Sequence, residues 1–173
     1  MIAPAAELTG LAASIAALAD PWAKIFSHSK VVSAGTLFFH LVPLIAGGGV
    51  AFAADIATLR AFRSGAAERT RQVAALAATH RFVVVGLAVS FISGILLFLS
   101  DVETFLGSIY IWIKLGFVAL LLINGFVLTR IEAALARNAD DGAQWNRLRT
   151  VAKLSAFLWI ATTLAGVVLK EFA

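Results

Sequence analysis

The chain has 173 residues, 61% of them hydrophobic and 14% charged, with a mean hydropathy of +0.93. Soluble domains run at about half apolar and about a quarter charged, so a water-soluble globule would have nowhere to put this surplus; the length is that of one domain. The formal charge is +4 and cysteine is absent, which excludes disulfides, thiolate metal sites, iron–sulfur clusters and thiol catalysis.

The first 30 residues stand apart. Leu8, Leu11, Ile15 and Leu18 recur at helical spacing, with Glu7 and small residues between them. Asp20-Pro21 reads as a cap followed by proline at the first position of a new turn. Trp22, Lys24, Ile25 and Phe26 follow. An amphipathic helix lying in the membrane interface fits this pattern. A cleaved signal peptide is the competing reading, and the lack of Lys or Arg at its start counts against it. His28, between Ser27 and Ser29, falls where the first span begins.

Four later stretches are apolar over the roughly 20 residues that a helix needs to cross a bilayer core. They run over about Val31–Ala57, Phe82–Ser100, Ser108–Thr129 and Val151–Leu169. Alternation of period two is absent, which disfavours a barrel. The expected fold is all-α: residues 1–30 form the interfacial segment and residues 31–173 an integral membrane four-helix bundle. Glu68 to Thr79 extends the second span beyond the lipid, and Asn138 to Gly142 carries the one strong turn signal of the last connection. Only about seven residues join spans two and three, which predicts that they pack as an antiparallel pair.

The connections sort the charges. Arg60, Arg63, Arg69, Arg71 and Arg81 lie between spans one and two. Arg130, Arg137, Arg147, Arg149 and Lys153 lie around the connection of spans three and four. Asp101 and Glu103 lie between spans two and three, with no Lys or Arg. The positive-inside rule then places both Arg-rich connections in the cytoplasm and both termini in the periplasm of a bacterial inner membrane. The basic excess reads as topology and contact with membrane lipid. No aromatic-plus-basic recognition motif points to nucleic acid.

Ionisable residues inside lipid are expensive and ask for a reason. His40 lies roughly 13 Å below the outer end of span one, and Lys114 roughly 9 Å below that of span three. The two share one layer. Ser93 and Gly94 of span two fall in it, as do Thr162, Thr163 and Gly166 of span four. Small residues there allow close helix approach or leave room for a flat ligand. Pro43 removes a backbone donor three residues past His40 and is expected to bend span one, and Gly47, Gly48 and Gly49 keep that helix slim. A histidine in a membrane bundle points to haem. His80 lies roughly 15 Å or more from the His40 layer, so the two are no bis-histidine pair. With His40 as metal ligand, the opposite axial position falls to Lys114, water or nothing. The bland readings are a histidine bonded to a neighbouring helix and a lysine reaching the headgroups. His80, Arg81 and Asp55 read as an interfacial cluster, Asn124 as an interhelical hydrogen bond, and Ser90 with Ser93 as packing residues. No Ser-His-Asp, HExxH, P-loop or dinucleotide motif is present.

Three pieces carry a family resemblance. Span one holds His40 in its outer half and ends in Arg60 and Arg63. Span three opens with Ile111-Trp112-Ile113-Lys114-Leu115. The chain closes with Val168-Leu169-Lys170-Glu171-Phe172. This resembles the four-helix bacterial membrane haem proteins of the HemJ-type protoporphyrinogen oxidase family and, more loosely, CopD-like membrane proteins. That family opens the span with Trp-x-x-Lys-Leu, one residue longer than the spacing here, and ends on valine-lysine-proline-phenylalanine. Its Asn-Glu-x-Pro before the last span is replaced here by Arg149-Thr150-Val151-Ala152-Lys153, and no tyrosine follows His40 in span one. The resemblance implies haem, with the haem-associated residues falling on His40 and Lys114; the shared layer adds Ser93, Gly94 and Thr163 as residues expected to line a haem b.

The functional expectation is a haem-b-binding membrane redox protein, acting in electron transfer or in oxidation of a porphyrin- or quinol-like substrate. The rival is a non-enzymatic accessory or assembly subunit, with a membrane-protein partner or a homo-oligomer holding the N-terminal helix. A small transporter comes third, because the sequence offers no paired intramembrane acids.

Overall fold

The computed structural model describes the backbone of residues 5–172 and the side chains of residues 12–172. It is all-α. The elements are α1 (Ala5–His28), α2 (Lys30–Ala61), α3 (Ala66–Leu99), α4 (Val102–Gly107), α5 (Ile109–Arg137) and α6 (Gly142–Phe172). Four of them, α2, α3, α5 and α6, are long and apolar enough to cross a membrane.

These helices have 29 to 34 residues, about ten more than a bilayer core requires. The excess lies at the Arg-rich end. There Val73, Leu76, Leu128, Ile131, Leu135, Trp145 and Leu148 form the best-buried cluster of the molecule. A second cluster sits deeper in the spans, built from Val83, Leu121, Leu158 and Trp159. The gradient has a physical cause. Water drives apolar side chains together where helices leave the lipid, whereas within the bilayer the tails are as apolar as leucine and exert no such drive. Accordingly Phe82, Val85, Phe91, Ile123, Phe126 and Phe157 point outward along the spans.

Two tight pairs make the bundle, α2 with α3 and α5 with α6, and the pairs join mainly through α2 and α6. The expected close pairing of spans two and three is not the dominant one: α3 and α5 touch over a short stretch only. The connection is not a plain loop but the helix α4, capped by Asp101, whose carboxylate accepts the Thr104 amide at 3.3 Å. Glycine explains the α2–α3 approach. A Cβ on Gly86 would lie 3.0 Å from the Pro43 carbonyl oxygen, and one on Gly47 would lie 3.7 Å from the Val83 carbonyl oxygen. Gly48 likewise seats the Trp159 ring of α6, 2.9 Å from where its Cβ would stand.

The N-terminal segment is one helix. Asp20-Pro21 does not restart it, because α1 runs unbroken through Pro21. Proline already has a helical φ and withholds only one backbone donor. Asp20 instead pairs with Lys24 one turn on, at 2.6 Å. The side chains of Glu7, Leu8 and Leu11 lie outside the described residues. Trp22 donates its indole N–H to the Leu96 carbonyl at 2.8 Å, reaching one of the last carbonyls of α3, where a helix runs out of its own donors. Helix α1 thus lies against the α3–α4 end of the bundle. Ser29 caps α2 at the break after His28, accepting the Val32 amide at 3.3 Å.

Candidate functional site

His40 sits on the α2 face that meets α3. Its Nδ1 lies 2.8 Å from the Ser90 carbonyl oxygen. A carbonyl only accepts, so Nδ1 carries the hydrogen, and in the neutral ring Nε2 is the nitrogen with the lone pair. Ser90 answers reciprocally, its hydroxyl donating to the His40 carbonyl at 2.8 Å. The two residues clamp α2 to α3 and fix the plane of the ring. Gly94, one turn along, gives the ring its space: a Cβ there would lie 3.1 Å from Cε1 and 3.3 Å from Nδ1. Every hydrogen bond of this imidazole is made through Nδ1.

Lys114 of α5 is half-buried and lies over Gly166 of α6, with Nζ 3.6 Å from the position of a Cβ on that glycine. It is close enough to His40 for the two to interact electrostatically. No carboxylate pairs with it among the described residues. The shared layer read from helical depth is therefore present in space, with His40 over Gly94 in one helix pair and Lys114 over Gly166 in the other.

The remaining residues of that layer divide. Ser93 is buried, and its hydroxyl donates back to the Val89 and Ser90 carbonyls at 2.8 and 3.0 Å. Thr163 is exposed, its hydroxyl donating to the Trp159 carbonyl at 2.8 Å. Its neighbour Thr162 is the buried one of the two, and its hydroxyl has no hydrogen-bond partner. Ser90, read as a packing residue, is the one that orients His40. A serine in an apolar span looks the same in sequence whether it packs or pairs; the rotation of α3 decides.

A second polar band crosses the bundle nearer the Arg-rich end. His80 of α3 meets Glu132 of α5, Nδ1 to Oε2, at 3.3 Å. Asp55 of α2 is 3% exposed, with Ser155 of α6 beside it and Glu132 and His80 within electrostatic reach. Asp55 Oδ2 and Glu132 Oε1 are buried without hydrogen-bond partners. Gln72 of α3 donates to the Thr58 hydroxyl at 3.0 Å and to the Ala54 carbonyl at 3.3 Å. Asn124 donates to the Val151 carbonyl at 3.2 Å, the interhelical bond expected of it. The expected cluster joined His80 to Arg81 and Asp55: Asp55 is within electrostatic reach of His80, but the Arg81 side chain is exposed and His80 turns inward to Glu132. Sequence reading missed Glu132 because it lies in the Arg-Ile-Glu-Ala-Ala stretch, which looks like a water-side helix end. The band supplies two buried carboxylates and an imidazole, so the bundle does bring acids together. Among the described residues, no group of three His, Asp or Glu side chains is close enough to hold a metal ion.

A haem held by one histidine needs no such group. It needs one imidazole with a free lone pair, a hydrogen-bond acceptor on the other ring nitrogen, and small residues around the ring. His40 and the Ser90 carbonyl meet the first two conditions, and Gly94 makes room for the imidazole itself. No family model, curated protein or solved structure matches the chain.

Proposed function

We propose that this chain is a haem-b-binding redox protein of the bacterial inner membrane, with its ligand site in the outer half of the bundle. The observation that carries the reading is the state of His40: Nδ1 is committed to the Ser90 carbonyl at 2.8 Å, while Nε2 makes no hydrogen bond. Metal-ligating histidines are held in this way, because the second hydrogen bond fixes the tautomer and raises the basicity of the coordinating nitrogen.

In this reading His40 holds the iron through Nε2. Lys114 supplies a cation in the same layer, as a second ligand or as partner to a propionate carboxylate. Ser93, Gly94 and Thr163 are the residues proposed to line the cofactor; Gly94 borders the imidazole, while the Ser93 and Thr163 hydroxyls bond back to their own helices. The group itself supplies one-electron chemistry; the chain supplies orientation and a dry, mostly aliphatic surround, which tunes potential. Electron transfer, or oxidation of a porphyrin- or quinol-like substrate in the bilayer, follows as the activity class. The positive-inside rule places the Arg-rich end in the cytoplasm and α1 with α4 on the outer side. Leu18 and Ile25, exposed along one edge of α1, then rest on lipid, and Asp20 with Lys24 faces the headgroups.

The experiment is an absorbance spectrum of the detergent-purified protein with extraction of its pigment. A Soret band that His40→Ala abolishes and Ser90→Ala retains in shifted or weakened form is the expected result. A colourless protein that takes up no added haem overturns the proposal. The accessory-subunit reading would then stand on a stoichiometric partner retained in gentle detergent.

A further inference from the structure

Between the end of α2 and the start of α6 the surface opens into a cavity of about 320 Å³, lined by Ile56, Leu59, Arg60, Arg63, Arg149 and Lys153. Four of the six lining residues are cations and none is an acid. No Asp or Glu forms an ion pair with any of the four among the described residues. Like charges crowd this cavity with no counter-ion supplied by the chain, and that arrangement is costly unless an anion completes it.

The cations are arranged rather than merely near. Arg60 lies in the last turn of α2 and Arg63 in the turn that follows, its amide donating to the Arg60 carbonyl at 3.0 Å, with Ile56 and Leu59 toward the interior of that helix. Arg149 and Lys153 are four apart and share the facing side of α6. Arg149 is half-buried and fixed from behind, its guanidinium carbon 4.9 Å from the centre of the Phe62 ring. Arg69 holds that ring from another side at 5.8 Å and anchors its backbone, donating to the Phe62 carbonyl at 2.8 Å. The guanidinium is therefore pre-positioned, which lowers the entropy lost when it takes a ligand.

Depth identifies the ligand. The cations lie where the spans leave the apolar stretch, at headgroup level, and the aliphatic pair lies toward the bilayer. A free anion has no use for Ile56 and Leu59. A phospholipid presents phosphate at the upper level and acyl chain at the lower. Basic pockets between spanning helices take acidic headgroups in this way, and arginine matches phosphate oxygens in a two-pronged geometry.

We infer that the α2–α6 cavity is a binding site for one anionic phospholipid, its phosphate held by Arg60, Arg63, Arg149 and Lys153 and its acyl chain against Ile56 and Leu59. The site does not depend on any cofactor. By tying α2 to α6, the lipid bridges the two helix pairs at their main junction.

Native mass spectrometry of the full chain tests this, with phosphatidylglycerol and phosphatidylcholine offered at equal concentration in mixed micelles. One phosphatidylglycerol is expected to be retained in preference. Arg60→Gln, Arg149→Gln and Lys153→Gln should each cut that preference by about fivefold, the effect of one basic residue near an acidic headgroup. Arg137→Gln, outside the cavity, should leave it unchanged. Arg60 and Lys153 are exposed, so their variants keep the test alive if loss of the Arg149–Phe62 contact unfolds the protein, which circular dichroism reports. Equal retention of both lipids, or a preference unaltered in Arg60→Gln and Lys153→Gln, overturns the assignment. Displacement of phosphatidylglycerol by millimolar inorganic phosphate overturns it too, in favour of a free-anion site.

Discussion

Gly94 sets the distance between His40 and α3, and it leaves almost no slack. A methyl there would stand 3.1 Å from Cε1 of the ring, so Gly94→Ala must push the imidazole aside and stretch its bond to Ser90. If the chain holds haem as proposed, Gly94→Ala should shift or weaken its absorbance, whereas Gly166→Ala, whose methyl meets Lys114 at an ordinary 3.6 Å, should leave it nearly unchanged. In the other polar band, Glu132→Ala removes the partner of His80 from a mostly buried site. Breaking such a pair costs about 3 kcal/mol or more, to be read from the denaturant midpoint in mixed micelles. Arg81→Ala, on the exposed side of the same helix, should stay within about 0.5 kcal/mol. His40 and Lys114 were legible as lone ionisable groups in apolar sequence, and their common layer followed from helical rise alone. Ser90 and Glu132 were not. Rise fixes depth, but only the rotation of each helix decides which serine faces a histidine and whether a glutamate near a helix end turns inward.

The apolar stretches located the four long helices but not their ends: each helix overruns its apolar stretch toward the Arg-rich connections, and Asp20-Pro21 caps nothing. The Asn138–Gly142 turn marks a boundary that the structure keeps. The pairing of helices was harder to read. A short connection suggested spans two and three as neighbours, but the tight pairs are α2–α3 and α5–α6. Glycine placement decides this, because a helix pair in lipid gains little from burial and much from backbone contact. Gly86→Ala would press a methyl to 3.0 Å from a backbone carbonyl of α2, and Gly48→Ala would press one to 2.9 Å from a buried tryptophan ring. Each should destabilise by about 1–3 kcal/mol. Gly116→Ala on α5, where a Cβ meets nothing within 4 Å, should be neutral or slightly stabilising, since alanine is the better helix former. Thermal melts of the three variants in one detergent separate close approach from helix propensity. For α1, Trp22→Phe removes the bond to Leu96 while keeping an aromatic ring, and amide exchange in α1 should quicken.

For the whole molecule, the absence of cysteine makes topology easy to test. Single variants Ser64→Cys and Asp140→Cys lie in the two Arg-rich connections, and Thr104→Cys lies in α4. A membrane-impermeant maleimide added to intact cells should label Thr104→Cys alone, and the other two only after permeabilisation. Labelling of Ser64→Cys and Thr104→Cys from the same side would contradict four crossings. The all-α spanning architecture was legible because lipid demands long apolar helices. The water-side core around Trp145 and Leu148 was not, because its residues spread over α3, α5 and α6 and only packing brings them together.

The short contact between α3 and α5 has one more consequence. Each helix pair is a hairpin, and α4 packs chiefly on α1 of the first half, touching α5 little. The gene can therefore be cut at Gly107 and its two halves produced as separate polypeptides. They should reassemble through Gly48 and Trp159 into a working two-chain protein.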